Sequence, residues 1–200
     1  MPELSPLRLW SMRAAYLGLS LFIILCHLMP LELAPRGWVW EDGDTLPGIG
    51  AQPVYRTGWA APDFLLALTF AWSLRRPEYV PPLAIAAVFL LSDFLFLKPP
   101  GLGAALVVSA ALILQARSRG LRDQTFALEW FTMAITVIGL ALATRMVAAL
   151  FLLPQPGVEL VAMQVIGTVL VYPVVVLLSF LVLQLRKSAP GDVERQGQRP

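Results

Sequence analysis

Residues 82–116 read PLAIAAVFLLSDFLFLKPPGLGAALVVSAALILQA, two apolar runs separated by Lys98-Pro99-Pro100-Gly101. Because proline and glycine stop one helix and allow the next to begin, the pattern predicts a tight hairpin of two helices, 82–97 and 102–116. One carboxylate, Asp93, lies inside the first run. An ionised side chain near the centre of a membrane helix costs roughly 2.5–3.5 kcal/mol. The hairpin therefore needs a group that stabilises Asp93.

The composition is that of a membrane protein. Apolar residues make up 58% of the 200 residues, whereas soluble domains have about 45–50%. Several continuous apolar runs suit α-helices that cross about 30 Å of hydrocarbon. The sequence predicts an all-α integral membrane protein with six transmembrane helices, at about residues 14–31, 61–74, 82–97, 102–116, 130–153 and 160–185. The second of these is short, so it either crosses with little tilt or is partly re-entrant. A single transmembrane domain then occupies residues 1–187, with an outer loop at 34–60 and a disordered cytoplasmic tail at 188–200.

Basic residues predict the orientation. If the N-terminus is cytoplasmic, the inner segments hold Arg8, Arg13, Arg75, Arg76, Arg117, Arg119, Arg122, Arg186, Lys187, Arg195 and Arg199. The outer loops then hold only Arg36, Arg56 and Lys98. This bias places both termini in the cytoplasm and explains the net charge of +2 without a nucleic-acid partner. The tryptophans fall near predicted segment ends, where their rings settle at headgroup level: Trp10, Trp38, Trp40, Trp59, Trp72 and Trp130.

Four polar side chains on four helices are predicted to share one depth. Asp93 and Arg145 lie in helices that run outward, within about two turns of their outer ends. Asp63 begins the second helix at the outer face, and His27 lies near the outer end of the first. We predict that Arg145 pairs with Asp93, with Asp63 and His27 nearby. Such a layer is a packing brace, a short proton relay or part of a ligand pocket, and the sequence leaves these alternatives open.

Motifs for catalysis and metal binding are missing from the sequence. The chain has one His and one Cys, and it lacks HExxH, Gly-x-Ser-x-Gly and a Gly-rich phosphate loop. The acidic run at 41–44 does not have EF-hand spacing, so we interpret it as a solvated turn. We therefore expect a protein without enzymatic activity, catalytic residues, cofactor or metal.

Two further patterns concern helix packing. Small residues at spacing four, Gly101, Ala105 and Ser109 in one helix and Gly139 and Ala143 in another, predict close helix contacts. Pro173 predicts a kink in the sixth helix, because proline removes one backbone hydrogen bond.

Residues 62–106 resemble the MreD family of bacterial rod shape-determining proteins. The shared pattern is Pro62-Asp63 at the start of a helix, then Trp72 and Arg75-Arg76-Pro77 at its end. Asp93 follows, and Gly101-Leu102 comes eight residues later. Many family members have glycines before the Asp, where this chain has AIAAV at 84–88.

The resemblance implies a fold similar to the S components of energy-coupling factor transporters. It also implies a non-enzymatic, multi-pass protein of the bacterial inner membrane, in the machinery that maintains rod shape. The family's partners are MreC, the actin-like MreB, and RodA with its transpeptidase. The resemblance further implies structural or partner-binding roles at the matched positions: Pro62, Asp63, Arg75, Arg76, Asp93 and Gly101. The alternative is a small-molecule-binding transporter subunit, with a pocket beneath the loop at 34–60.

Overall fold

The computed structural model describes residues 6–29, 37–39, 54–56, 60–121, 125–153 and 155–183. These ranges contain six α-helices: α1 Pro6–Leu28, α2 Phe64–Arg75, α3 Pro82–Leu95, α4 Leu102–Leu121, α5 Phe126–Leu150 and α6 Val158–Leu183. A 3₁₀ turn, Pro77–Tyr79, lies between α2 and α3. In the predicted outer loop, β1 (Gly37–Val39) and β2 (Val54–Arg56) pair antiparallel, which the all-α prediction did not include. The acidic run at 41–44 and the predicted tail at 188–200 lie outside the described residues.

The six predicted helices are present, and within the described ranges three of them have the length and composition to cross a membrane. These are Leu7–Leu28, Phe126–Leu150 and Val158–Leu181. The apolar stretches of the other three, Phe64–Arg75, Pro82–Leu95 and Leu102–Ser118, are shorter. The long helices expose large apolar side chains, as a lipid-facing surface requires; examples are Phe22, Leu142 and Leu170. The chain is thus a helical membrane protein by this criterion.

Helix α2 is the centre of the bundle. All ten residues from Leu65 to Leu74 are buried, and the helix packs against α1, α4 and α6. Its 12 residues extend only about 18 Å at about 1.5 Å each, which is less than the hydrocarbon thickness of about 30 Å. Non-helical backbone at membrane depth is tolerated where protein or a cavity surrounds it. The ends of α2 therefore need local hydrogen-bond partners.

Trp72 is a core residue of α2 and not the headgroup anchor that the sequence predicts. Its side chain is 1% exposed, and its indole N–H donates to Ser179 Oγ at 3.2 Å. The Tyr16 ring lies 5.7 Å from the Trp72 ring, and the Tyr16 hydroxyl bonds to Thr69 Oγ1 at 3.0 Å. These contacts join α2 to α1 and α6 through polar atoms inside an apolar core.

The predicted small-residue stripe of α4 does not form its packed face. Ala105 and Ser109 are exposed, while the buried face consists of Ala104, Val107, Ala110, Ala111 and Leu114. On α5, an added Cβ at Gly139 would meet no atom within 4 Å. The packed face of α4 therefore repeats at intervals of three and four residues and includes larger side chains, Val107 and Leu114, as well as alanines.

Both hairpin turns end their first helix in the same way. Leu97, after α3, and Leu152, after α5, have positive φ angles of 53° and 52°. The amide of the next residue reaches back to close each helix: Lys98 N–H donates to Asp93 O, and Leu153 N–H donates to Ala148 O, both at 2.9 Å. This is the Schellman arrangement, in which glycine is the usual left-handed residue.

Candidate functional site

A cavity of about 630 Å³ lies at the end of the bundle that the sequence predicts to face outward. Side chains from all six helices line it, and most of them are apolar. The four polar residues predicted to share a layer, His27, Asp63, Asp93 and Arg145, all border this cavity. The sequence thus indicated which residues come together, although their hydrogen bonds differ from those predicted.

Asp93 is stabilised by the start of α4 and not by Arg145. Its Oδ2 accepts hydrogen bonds from Gly101 N–H at 3.2 Å and from Ala104 N–H at 3.1 Å. These amides lack partners within their own helix, and the N-terminal end of a helix favours negative charge. The predicted Asp93–Arg145 ion pair is wrong: among the described residues, neither side chain forms a salt bridge.

Glycines make room for this carboxylate. A Cβ at Gly103 would lie 2.6 Å from Asp93 Oδ1, closer than Cβ atoms approach other heavy atoms in protein structures. Gly101 has a φ of +86°, in the left-handed region that glycine adopts without steric cost. The eight residues from Asp93 to Gly101 therefore contain the hairpin turn that brings the start of α4 back to the carboxylate.

Asp63 caps α2. Its Oδ1 accepts from Leu66 N–H at 2.9 Å, which is the usual hydrogen bond of an N-cap residue. Its own backbone N–H donates to Thr168 Oγ1 of α6 at 2.9 Å. Pro62 is buried beside the same helix, where a Cβ added to Gly167 would lie 3.4 Å from Pro62 Cβ. Pro62 and Asp63 thus attach the start of α2 to α6.

Arg145 and Lys98 are the cations of the cavity. Arg145 Nη1 donates to Pro156 O at 3.0 Å, and Gln155 Nε2 donates to Arg145 O at 3.2 Å. Lys98 Nζ lies 5.6 Å from the centre of the Phe96 ring, and the His27 ring packs edge-on against the same ring at 6.0 Å. His27 is therefore in an aromatic contact with Phe96.

A second polar cluster, which sequence analysis missed, lies at the opposite end of the bundle. Glu129 is 1% exposed. Its Oε1 accepts from Arg75 Nε at 2.8 Å and from the Tyr172 hydroxyl at 2.9 Å. The cluster joins α2, α5 and α6. Glu129 was overlooked because the fifth helix was predicted to begin at Trp130, which left Glu129 in a loop.

The other matched arginine is also engaged. Arg76 Nη1 lies 3.3 Å from Glu78 Oε1, and Arg13 of α1 donates to the Glu78 carbonyl through Nε and Nη2, each at 3.3 Å. The turn after α2 is thereby attached to α1. Both arginines of the matched motif contact acidic residues of the same chain.

The polar contacts of both clusters join helices of the bundle to one another. Across the described residues, no three His, Cys, Asp or Glu side chains are grouped so that they could hold a metal ion. The sequence matches no family model, and no curated protein or solved structure gives a significant match to the chain.

Proposed function

We propose that this chain is a non-enzymatic membrane scaffold of the bacterial cell-elongation machinery, similar to MreD, that binds MreC in the inner membrane. In that role it helps to regulate lateral peptidoglycan synthesis and rod shape. The observation that carries the proposal is the hydrogen bonding of the two aspartates of the motif. Asp63 and Asp93 each accept backbone N–H bonds at a helix start, which fixes helix ends and suits a rigid docking platform.

The outer helix ends are the proposed contact surface for the membrane anchor of MreC. The turns after α3 and α5 lie at this end, and their leucines, Leu97 and Leu152, are each 93% exposed. Well-closed turns of this kind present apolar side chains on a fixed backbone, so a partner helix can pack on them with little loss of conformational freedom.

The inner end is proposed to face anionic lipid or the cytoplasmic partners, MreB and RodA with its transpeptidase. Arg117 of α4 is exposed there and takes no part in the ion pairs of Arg75 and Arg76. Arg75 is paired with Glu129 and mostly buried, so its role is to stabilise the fold rather than to bind a partner. Juxtamembrane arginines attract anionic headgroups with about 1 kcal/mol each.

Co-purification tests the scaffold role. The tagged chain is extracted from native membranes in mild detergent, and all co-eluting proteins and small molecules are identified. We expect MreC, together with other elongation proteins. Lys98→Glu, at the outer end, should reduce MreC recovery, while Arg117→Glu, at the inner end, should leave it unchanged. Absence of MreC, with a vitamin or an ATPase module in its place, would overturn the proposal.

The cavity favours a second candidate function, a small-molecule-binding transporter subunit. Its volume of about 630 Å³ lies within the range of about 300–1,000 Å³ that is typical of ligand sites. The same purification separates the two functions, because a transporter subunit retains a ligand or an ATPase partner and a scaffold retains MreC.

A further inference from the structure

Charged side chains of both signs border the cavity. It is bordered by two acidic residues, Asp63 and Asp93, and by two basic residues, Lys98 and Arg145. Most of its other lining side chains are apolar, and they come from all six helices. A charge that is already neutralised within the protein contributes little to binding a ligand, so the partners of these four residues decide which ligand fits.

The acidic residues are already engaged by backbone amides. Asp93 accepts two helix N-terminal N–H bonds and is 3% exposed. Asp63 accepts one such bond, from Leu66. Hydrogen bonds from amides and the positive end of a helix satisfy a carboxylate without a cation.

The basic residues lack acidic partners within the described part of the chain. Arg145 has five N–H donors, and its one hydrogen bond from the guanidinium goes to a neutral carbonyl, that of Pro156. Lys98 lies over the Phe96 ring and is exposed. A cation in an apolar setting gains most from an anionic partner, because the low dielectric strengthens the attraction.

We infer that the cavity binds an anionic amphiphile, a molecule with one carboxylate or phosphate head and an apolar chain. The head bonds to Arg145 and Lys98, and the chain fills the apolar space toward Val107 and Val137, which also line the cavity. This inference concerns the cavity alone and does not depend on which of the two proposed functions holds.

Four probes test the chemistry, with the purified full chain in the uncharged detergent dodecyl maltoside. Oleate and oleoyl lysophosphatidate carry the two acidic heads, monoolein carries a similar chain with a neutral head, and inorganic phosphate is a head without a chain. Native mass spectrometry counts bound molecules and gives the Kd. One equivalent of each acidic lipid should bind at least about tenfold more tightly than monoolein, as expected for a charge-assisted hydrogen bond.

Variants locate the binding. Arg145→Gln should remove the preference for the acidic heads, whereas Arg145→Lys should retain most of it. Arg117→Gln, an exposed arginine outside the cavity, should change nothing. Ala141→Phe fills part of the cavity without changing a charge, because Ala141 lines it, so it should weaken both acidic lipids. The unfolding temperature of each ligand-free variant shows whether it has folded.

Several results would overturn the inference. Equal affinity for monoolein and oleate would show that the head charge is irrelevant, and equal affinity for phosphate alone would show that the ligand is a soluble anion. An unchanged preference in folded Arg145→Gln, or unchanged affinity in folded Ala141→Phe, would place the binding elsewhere. Loss of preference in Arg117→Gln would indicate general surface charge.

Discussion

The indole N–H of Trp130 donates a hydrogen bond of 2.8 Å to the carbonyl of Val169. That carbonyl lies four residues before Pro173, which has no N–H to donate to it. The side chain from α5 thus replaces the backbone donor that proline removes from α6, and α6 runs without interruption from Val158 to Leu183. The tryptophan that seemed to be a headgroup anchor is therefore part of a helix–helix contact.

Removing this donor should destabilise the protein more when proline is present than when it is replaced. We expect Trp130→Phe to lower the free energy of unfolding by about 1–3 kcal/mol, because a carbonyl without a donor is costly where lipid surrounds the helix. In a Pro173→Ala background, residue 173 supplies its own N–H, so the same substitution should cost clearly less. Unfolding in mixed micelles, measured for the four proteins of this double-mutant cycle, gives the coupling. Equal costs in both backgrounds would show that Trp130 acts by packing alone.

Gly103 is required by Asp93. We expect Gly103→Ala to destabilise the protein by more than about 1 kcal/mol, because the added methyl meets Asp93 Oδ1 at 2.6 Å in a packed region where overpacking costs about 1–3 kcal/mol. Gly139→Ala is the matched control, since its methyl meets nothing within 4 Å. It should be neutral or stabilising, because alanine is the better helix former.

The carboxylate itself can be tested in the same series. Asp93→Ala leaves the Gly101 and Ala104 amides without their acceptor and should cost about 1–3 kcal/mol. In that background Gly103→Ala should cost little, since the clashing oxygen is gone. If Gly103→Ala were as costly with Ala at position 93 as with Asp, the backbone and not the carboxylate would be its constraint. Thermal unfolding in one detergent serves for all of these variants.

The sequence predicted the helices of this fold more successfully than the polar contacts between them. Apolar runs and the Pro-Pro-Gly turn were sufficient to predict six helices, and the depth of His27 and Asp63 was sufficient to place them beside Asp93. The partner of Asp93 was predicted wrongly because opposite charges at equal depth suggest an ion pair. The residue types at the start of α4 do not reveal that its backbone N–H groups bind the carboxylate, because every residue except proline carries such a group.

Helix length was the other difficulty. Hydropathy cannot distinguish a helix that crosses the bilayer from a short one enclosed by its neighbours, because both are apolar on all sides. The predicted second helix accordingly starts at residue 61, before the Asp63 cap. The predicted fifth helix starts at residue 130 and so leaves out Glu129, which lies in the first turn of α5. The register of α4 was missed for a related reason: alanines lie on several faces of this helix.

Leu152 occupies a conformation that favours glycine. Its φ is 52°, and left-handed backbone costs an L-residue roughly 1–2 kcal/mol. We expect Leu152→Gly to stabilise the protein slightly, by up to about 1 kcal/mol, because glycine loses part of this gain as chain entropy. The control is Leu142→Gly, at an exposed site in the middle of α5, which should destabilise by about 0.5–1 kcal/mol. Similar losses at both sites would contradict the assigned role of the turn.

Two ion pairs near the end of α2 differ in burial and should differ in energy. In Arg75–Glu129 the side chains are 14% and 1% exposed, and in Arg76–Glu78 they are 23% and 30% exposed. Breaking a buried pair leaves an uncompensated charge, which costs about 3–5 kcal/mol. We therefore expect Glu129→Gln to cost at least about 3 kcal/mol and Glu78→Gln to cost about 1 kcal/mol or less.

A double variant separates the charge from the shape of this cluster. Arg75→Gln combined with Glu129→Gln removes both charges but keeps groups that can hydrogen-bond to each other and to the Tyr172 hydroxyl, which donates to Glu129 at 2.9 Å. Because no charge is then buried without a partner, the double variant should be more stable than Glu129→Gln alone. A double variant as unstable as the sum of the two single ones would mean that the two charges act independently, and that the contact between Arg75 and Glu129 does not stabilise the junction of α2, α5 and α6.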